Sequence, residues 1–166
     1  MSINKKFAKQ LNQQVIAEHE AALIYTQLAY ELDRLSFSGM RDWMFEQAKE
    51  EREHAQKFAQ HLLDRGERVQ LGTVNVPAIK ISSPLEAFEA SLAHEEKVSE
   101  LIRELARTAD KVGDIDSRSL LNWFLDEQIE EESTVGEIID RIKIVGTDGS
   151  GLLRIDQELG SRPDSE

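Results

Sequence analysis

The chain has 166 residues, enough for one domain with a sizeable core, and sparse glycine and proline favour helix over sheet. A net charge of -12 argues against nucleic acid as a partner, since phosphate binding needs clustered Lys and Arg, and suits attraction of cations. There is no cysteine for disulfides, iron–sulfur clusters or thiolate zinc, and no apolar run suits a secretory signal or a membrane span; the expectation is a cytoplasmic protein.

Residues from about Asn4 to Leu35 read as the first helix. Phe7, Leu11, Val15, Ala22, Tyr25, Leu28, Ala29 and Leu32 recur at the three-and-four spacing of a buried stripe. Glu18 falls on that stripe. It is either a carboxylate reaching water from the stripe's edge or a buried one, and burial requires a partner or a metal. A second helix runs from a cap at Ser38 to about Arg65 and closes at Gly66. Trp43, Ala48, Phe58 and Leu62 mark its apolar side, which also carries Glu51 and His54. In Glu51-x-x-His54 a carboxylate and an imidazole lie one turn apart on one face. His61 reads as a partly exposed polar residue near the helix end.

Residues 66–83 lose the periodicity and are long for a loop in a compact domain. Extended, they reach roughly 55–60 Å, more than the about 42 Å of the preceding helix. That reach allows a crossover, with the third helix parallel to the second. Ser83-Pro84 then starts a helix with Leu85, Phe88, Leu92, Glu95, Val98, Leu101, Ile102 and Leu105 on one face. After the break at Gly113, the fourth helix runs through Leu120, Leu121, Phe124, Gln128, Glu131, Val135, Ile138 and Ile142. Residues 146–151 form a turn. Leu152, Ile155 and Leu159 mark a short fifth helix whose apolar face needs another surface, as an assembly would supply. The expected fold is therefore all-α: a four-helix bundle with a long crossover between helices 2 and 3 and a short C-terminal helix. One domain spans residues 1–160, with 161–166 as a disordered tail.

An internal repeat links the polar residues on the apolar stripes. Glu18 to Glu51 is 33 residues and so is Glu95 to Gln128; Glu51 to His54 is three and so is Gln128 to Glu131. Glu50 corresponds in the same way to Glu127. Each half is a helix pair with Glu on its first helix and a polar pair on its second, which brings four sets of groups to one level around a pseudo-twofold axis. That arrangement points to a dinuclear metal site. The first half offers Glu18, Glu51 and His54. The second offers Glu95 and Glu131, with neutral Gln128 in place of Glu51, so its metal position is weaker and open to exchange. Oxygen and imidazole donors suit iron, manganese or zinc, and redox use selects iron. Glu50, Glu127 and Glu130 form an outer carboxylate cluster. Tyr25 is either a catalytic neighbour that hydrogen-bonds a ligand or supplies an electron, or a core aromatic with its hydroxyl satisfied by a neighbour. His19 and His94 read as surface or subunit-contact residues.

These residues resemble the ferritin family across essentially the whole chain. The likeness is carried by Leu11-Asn12-Gln13-Gln14 leading to Glu18, by 48–54, by His94-Glu95, by 123–131 and by 156–159. It looks like the non-haem bacterial or archaeal members, and ferritin-like di-iron proteins are themselves the standard example of such bundle sites. The resemblance implies a cage of 24 identical subunits that oxidises iron(II) with dioxygen or hydrogen peroxide and stores a ferric mineral. It implies Glu18, Glu51, His54 and Glu95 as ferroxidase ligands, with Gln128 and Glu131 on the second iron. Glu50, Glu127 and Glu130 match a third iron site and Tyr25 matches the tyrosine beside the centre. Haem-binding relatives carry Glu-x-x-His in both halves and Met after the central Glu; here Gln128-x-x-Glu131 and Arg52 stand there, so no haem is expected.

Overall fold

A computed structural model describes residues 2–163 and contains, among them, five helices and no strand. The first helix, α1, spans Lys5–Arg34, capped by Asn4, whose side chain accepts from the amides of Lys6 and Phe7. Every residue of its expected stripe is buried, Glu18 included. The second, α2, spans Ser38–Asp64 and ends at Gly66 with φ +76°, a left-handed turn that glycine adopts without steric cost.

The expected cap of α2 fails. Ser38 is already helical, and no side chain at the preceding position bonds the first turn. Asp156 does so from the far end of the chain, accepting from the Met40 amide at 2.8 Å. The sequence window around Ser38 holds no sign of this, because the donor and acceptor are 116 residues apart.

The crossover runs beside α1 from one end to the other. Glu67 pairs with Lys5 (3.2 Å), Gln70 and Asn12 exchange two hydrogen bonds (2.8 and 2.9 Å), and Arg34 donates to the Ile81 carbonyl (2.8 Å). The third helix, α3 (Pro84–Val112), therefore begins where α1 ends, antiparallel to α1 and parallel to α2. Ser83 caps it by accepting from the Glu86 amide, and Gly113 closes it in the left-handed region. Leu101 departs from the expected stripe and is exposed; Ser91 and Ser99 are buried instead, the Ser91 hydroxyl donating to the Phe88 carbonyl and the Ser99 hydroxyl accepting from Gln128. The fourth helix, α4 (Arg118–Val145), buries Leu121, Phe124, Gln128, Glu131, Val135, Ile138 and Ile142 as expected.

The fifth helix, α5, spans Gly149–Gly160 and starts inside the expected turn, because Asp148 caps it by accepting from the Gly151 amide. Its apolar face is covered by this same chain, not left for an assembly. Ile155 and Leu159 are buried with Met40, Trp43 and Ile142. The approach to α2 is so close that a Cβ on Gly39 would stand 1.8 Å from the Asp156 carbonyl oxygen. Of the expected tail, 164–166 lie outside the described residues, and Arg162 is packed against α2.

Apolar packing forms two separate cores. One gathers Tyr25, Leu28, Met40, Trp43, Phe88 and Val135; the other gathers Phe7, Leu11, Phe58, Ile102, Leu105 and Phe124. Between them lies a layer of buried polar side chains: Glu18, Glu51, His54, Glu95, Gln128 and Glu131.

Candidate metal centre

Four helices supply that layer, each at the point where its apolar stripe is interrupted. Glu18 comes from α1, Glu51 and His54 from α2, Glu95 from α3, and Gln128 and Glu131 from α4. Candidate ligand atoms of Glu18, Glu51 and His54 all lie within 4.8 Å of one another, and so do those of His54, Glu127 and Glu131. His54 joins the groups, with Nδ1 3.1 Å from Glu51 Oε2 and Nε2 3.9 Å from Glu127 Oε1. Phe124 and Trp123 stand edge-on to its ring at 5.4 and 5.6 Å, fixing the plane in which it presents its nitrogens.

Glu95 and Gln128 belong to the layer but to neither close group. Tyr25 donates to Glu95 Oε1 at 2.5 Å, and Gln128 Nε2 donates to Glu95 Oε2 at 3.1 Å and to Ser99 Oγ at 3.1 Å. Of the outer carboxylates, Glu127 joins a group. Glu50 and Glu130 lie near enough for their charges to act on it, and Glu50 is held by Arg162.

The electrostatics favour a cation. Burial, first of all, pushes Glu18 up to about 7 and Glu131 to about 9, with the Glu95 charge adding to both. Burial and the neighbouring Glu95 charge raise Glu51 well above the usual carboxylate range. Burial also raises Glu95, against the hydrogen bonds from Tyr25 and Gln128 that favour its ionised form. Tyr25 is raised by burial and by the charges of Glu95, Glu51 and Glu131, so its hydroxyl keeps its proton and donates it. Desolvation holds His54 down at about 4, leaving a neutral imidazole, the form that binds metals.

Among the described residues Glu18 Oε2 and Glu51 Oε1 are buried with no hydrogen-bond partner. Burial favours a proton on this pair of carboxyls, and a cation between them would replace that proton and satisfy both oxygens. Among the described residues no lysine or arginine pairs with Glu18, Glu51, Glu95 or Glu131. Hard oxygen donors, one neutral imidazole and unpartnered carboxylate oxygens fit a divalent cation such as iron(II).

Sequence reasoning missed the supporting residues. Gln14 donates to Glu18 Oε1 (2.8 Å) and Gln47 to Glu131 Oε2 (2.6 Å). A signal for Gln14 existed, since it lies one helical turn before Glu18 on the same face. Gln47 precedes Glu51 in the same way, but its bond crosses to α4. Ser99 and Arg162 gave no signal. His94 is half-buried with Nε2 unpartnered, and is held down to about 4 by desolvation; His61, as expected, is partly exposed near the helix end, with Nε2 2.8 Å from Ser117 Oγ.

A family model described as a ferritin-like domain matches residues 8–145. The chain is 39% identical over 164 residues to the bacterial non-heme ferritin of Staphylococcus epidermidis, with 99% of each chain covered. It is 38% identical over 160 residues to that of Staphylococcus aureus, with 96% of each covered. Among solved structures it is similar to an open pore ferritin from the hyperthermophilic archaeon Archaeoglobus fulgidus, at a TM-score of 0.95 and 36% identity, covering 98% of this chain and 100% of that one. A humanized archaeal ferritin gives a TM-score of 0.97 at 34% identity, with 99% and 100% covered.

Proposed function

This chain belongs to the ferritin family, and on that premise we propose that it is an iron-storage ferritin that oxidises iron(II) inside each subunit and retains it as a ferric mineral within a cage. The observation that carries the reading is that Glu18 and Glu51, each with a buried oxygen lacking a partner among the described residues, bring ligand atoms within 4.8 Å of one another and of a neutral imidazole. Iron here is substrate and cargo. Glu18, Glu51 and His54 hold the first iron(II), with Glu51 shared between the two ions. Glu95, Gln128 and Glu131 hold the second, and Tyr25 keeps Glu95 oriented through its 2.5 Å bond. The protons that burial keeps on the carboxyls leave as the metal arrives.

Oxidation removes one electron from each iron(II). Dioxygen accepts the two electrons with two protons and leaves as hydrogen peroxide, and peroxide itself serves as acceptor in the same place. The second position has a neutral amide, Gln128, among its donors and lies beside Glu127, so iron(III) departs from that side past Glu127, Glu130 and Glu50 to the interior. An assembly of 24 subunits is what the family resemblance implies, and association of subunits is supported by exposed apolar residues on α1 and α2, Leu23, Tyr30 and Phe45, with the Tyr30 and Phe45 rings 5.9 Å apart.

The test is aerobic iron(II) loading of the metal-free protein, followed by size separation with iron counted in each fraction. Hundreds of irons per cage-sized particle are expected, with rapid oxidation abolished in Glu51→Ala and His54→Ala although fold and assembly persist. About two irons per chain on a small oligomer would instead indicate a di-iron oxidase, and wild-type oxidation rates in both variants would sink the assignment of the site.

A further inference from the structure

Just beyond α5 the chain returns to the edge of the metal centre. Arg162 donates through Nη2 to Glu50 Oε1 at 2.5 Å and through Nη1 to Gln47 Oε1 at 3.1 Å, and its guanidinium lies over the Trp43 ring, 5.0 Å from the ring centre. Both partners face the site. Gln47 donates its amide nitrogen to Glu131 at 2.6 Å, and an amide whose oxygen accepts from Arg162 has its nitrogen turned towards Glu131. Glu50 shares the outer acidic face with Glu127 and Glu130.

A guanidinium is permanently charged and binds a carboxylate through fixed, planar donors. While Glu50 Oε1 accepts from Arg162, that oxygen is not free to hold a metal ion, and the cation on this side of the cluster is the protein's own. The pair is displaceable, because the two side chains remain 24% and 18% exposed.

We propose that Arg162 is a positioning residue that reserves Glu50: docked, it keeps the outer carboxylates from holding a cation tightly, so that iron leaving the inner centre is passed on instead of retained. The inference rests on the reading of Glu50, Glu127 and Glu130 as the way out of the centre. It assigns the segment after α5 a part in the site that α5 itself does not have.

The test is calorimetric titration of the metal-free protein with zinc(II), a redox-inert cation that takes the same donors. Wild type, Arg162→Ala, Arg162→Lys and the double variant Arg162→Ala/Glu50→Gln are compared. Binding at the two inner positions is read in each titration as the reference against which the outer ion is compared. The outer ion should bind about three- to tenfold tighter in Arg162→Ala, as expected when a partly exposed ion pair no longer competes. Arg162→Lys should stay near wild type, since it keeps a counterion on Glu50, and the double variant should lose the gain. Unchanged outer affinity in Arg162→Ala, or a gain that survives Glu50→Gln, would overturn the role of Arg162 while leaving the inner centre standing. Failure of wild type to bind the two inner ions would remove the centre itself and this proposal with it.

Discussion

Glu18 and Glu131 keep their protons at pH values where an unfolded glutamate has lost them, because water is excluded from the layer that holds them. Both are raised from 4.5, to about 7 and about 9, so between about pH 5 and 9 the folded metal-free protein binds more protons than the unfolded chain. Its stability should therefore fall as pH rises through that window. His54 acts in the opposite sense at the acid end, since a neutral folded imidazole costs stability as pH drops below 6.5 towards about 4. Thermal melting of metal-free protein from pH 6.5, above the opposing effect of His54 and His94, to 9 should show a steady decline, flattened in Glu131→Gln. Loading the site should reverse the trend, because cation binding releases those protons. A melting temperature independent of pH would mean that these carboxyls are not held in a dry layer. The sequence disclosed their identity and level, but not this behaviour, since the extent of dehydration depends on how tightly the two cores close around them.

At the scale of the element, the junction of α5 with α2 holds the end of the bundle nearest Trp43. Asp156 supplies the hydrogen bond that α2 lacks from its own leading residues, and Gly39 and Gly160 let the two backbones touch. Asp156→Ala should cost about 1 kcal/mol, the ordinary value of a lost helix cap. Gly39→Ala should cost more, because the added carbon meets backbone 1.8 Å away and α5 has to move. Hydrogen exchange resolved along the chain would locate the loss: faster exchange is expected in α5 and the first turns of α2, with the metal layer unaffected. Uniform acceleration across all helices would refute a local junction. The α5 stripe at Leu152, Ile155 and Leu159 was legible as amphipathic. Which surface covers it was not, because the turn at 146–148 decides whether the helix swings outward or folds back.

For the whole molecule, the crossover sets the topology by tracking α1 from Lys5 to Arg34, which makes α2 and α3 parallel and brings both halves of the repeat to one level. Exposed Tyr30 and Phe45 then lie together on the α1–α2 pair, and exposed Leu23 falls two turns before Tyr30 on α1. A cage built through this face should come apart when it is charged. Leu23→Asp with Tyr30→Asp should yield small oligomers by sedimentation, still binding two inner ions per chain but retaining no mineral. A cage-sized species in that variant would exclude this face as a required contact.

Sequence alone determined the five helices, the interrupted stripes at Glu18, Glu51, Glu95 and Gln128, and the matched 33-residue offsets that put them at one depth. These follow from helical periodicity and local capping, which act over a few residues and are written in spacing. Tertiary structure decided the rest: the cap on α2 from Asp156, the covering of α5 by its own chain, the amides of Gln14 and Gln47 that hold Glu18 and Glu131, and the reach of Arg162 to Glu50. Apart from the Gln14 bond, made within a single turn of α1, these contacts join residues far apart in the chain. A hydrogen bond or close approach of that kind is fixed by where separate helices come to rest, a property that no local pattern encodes.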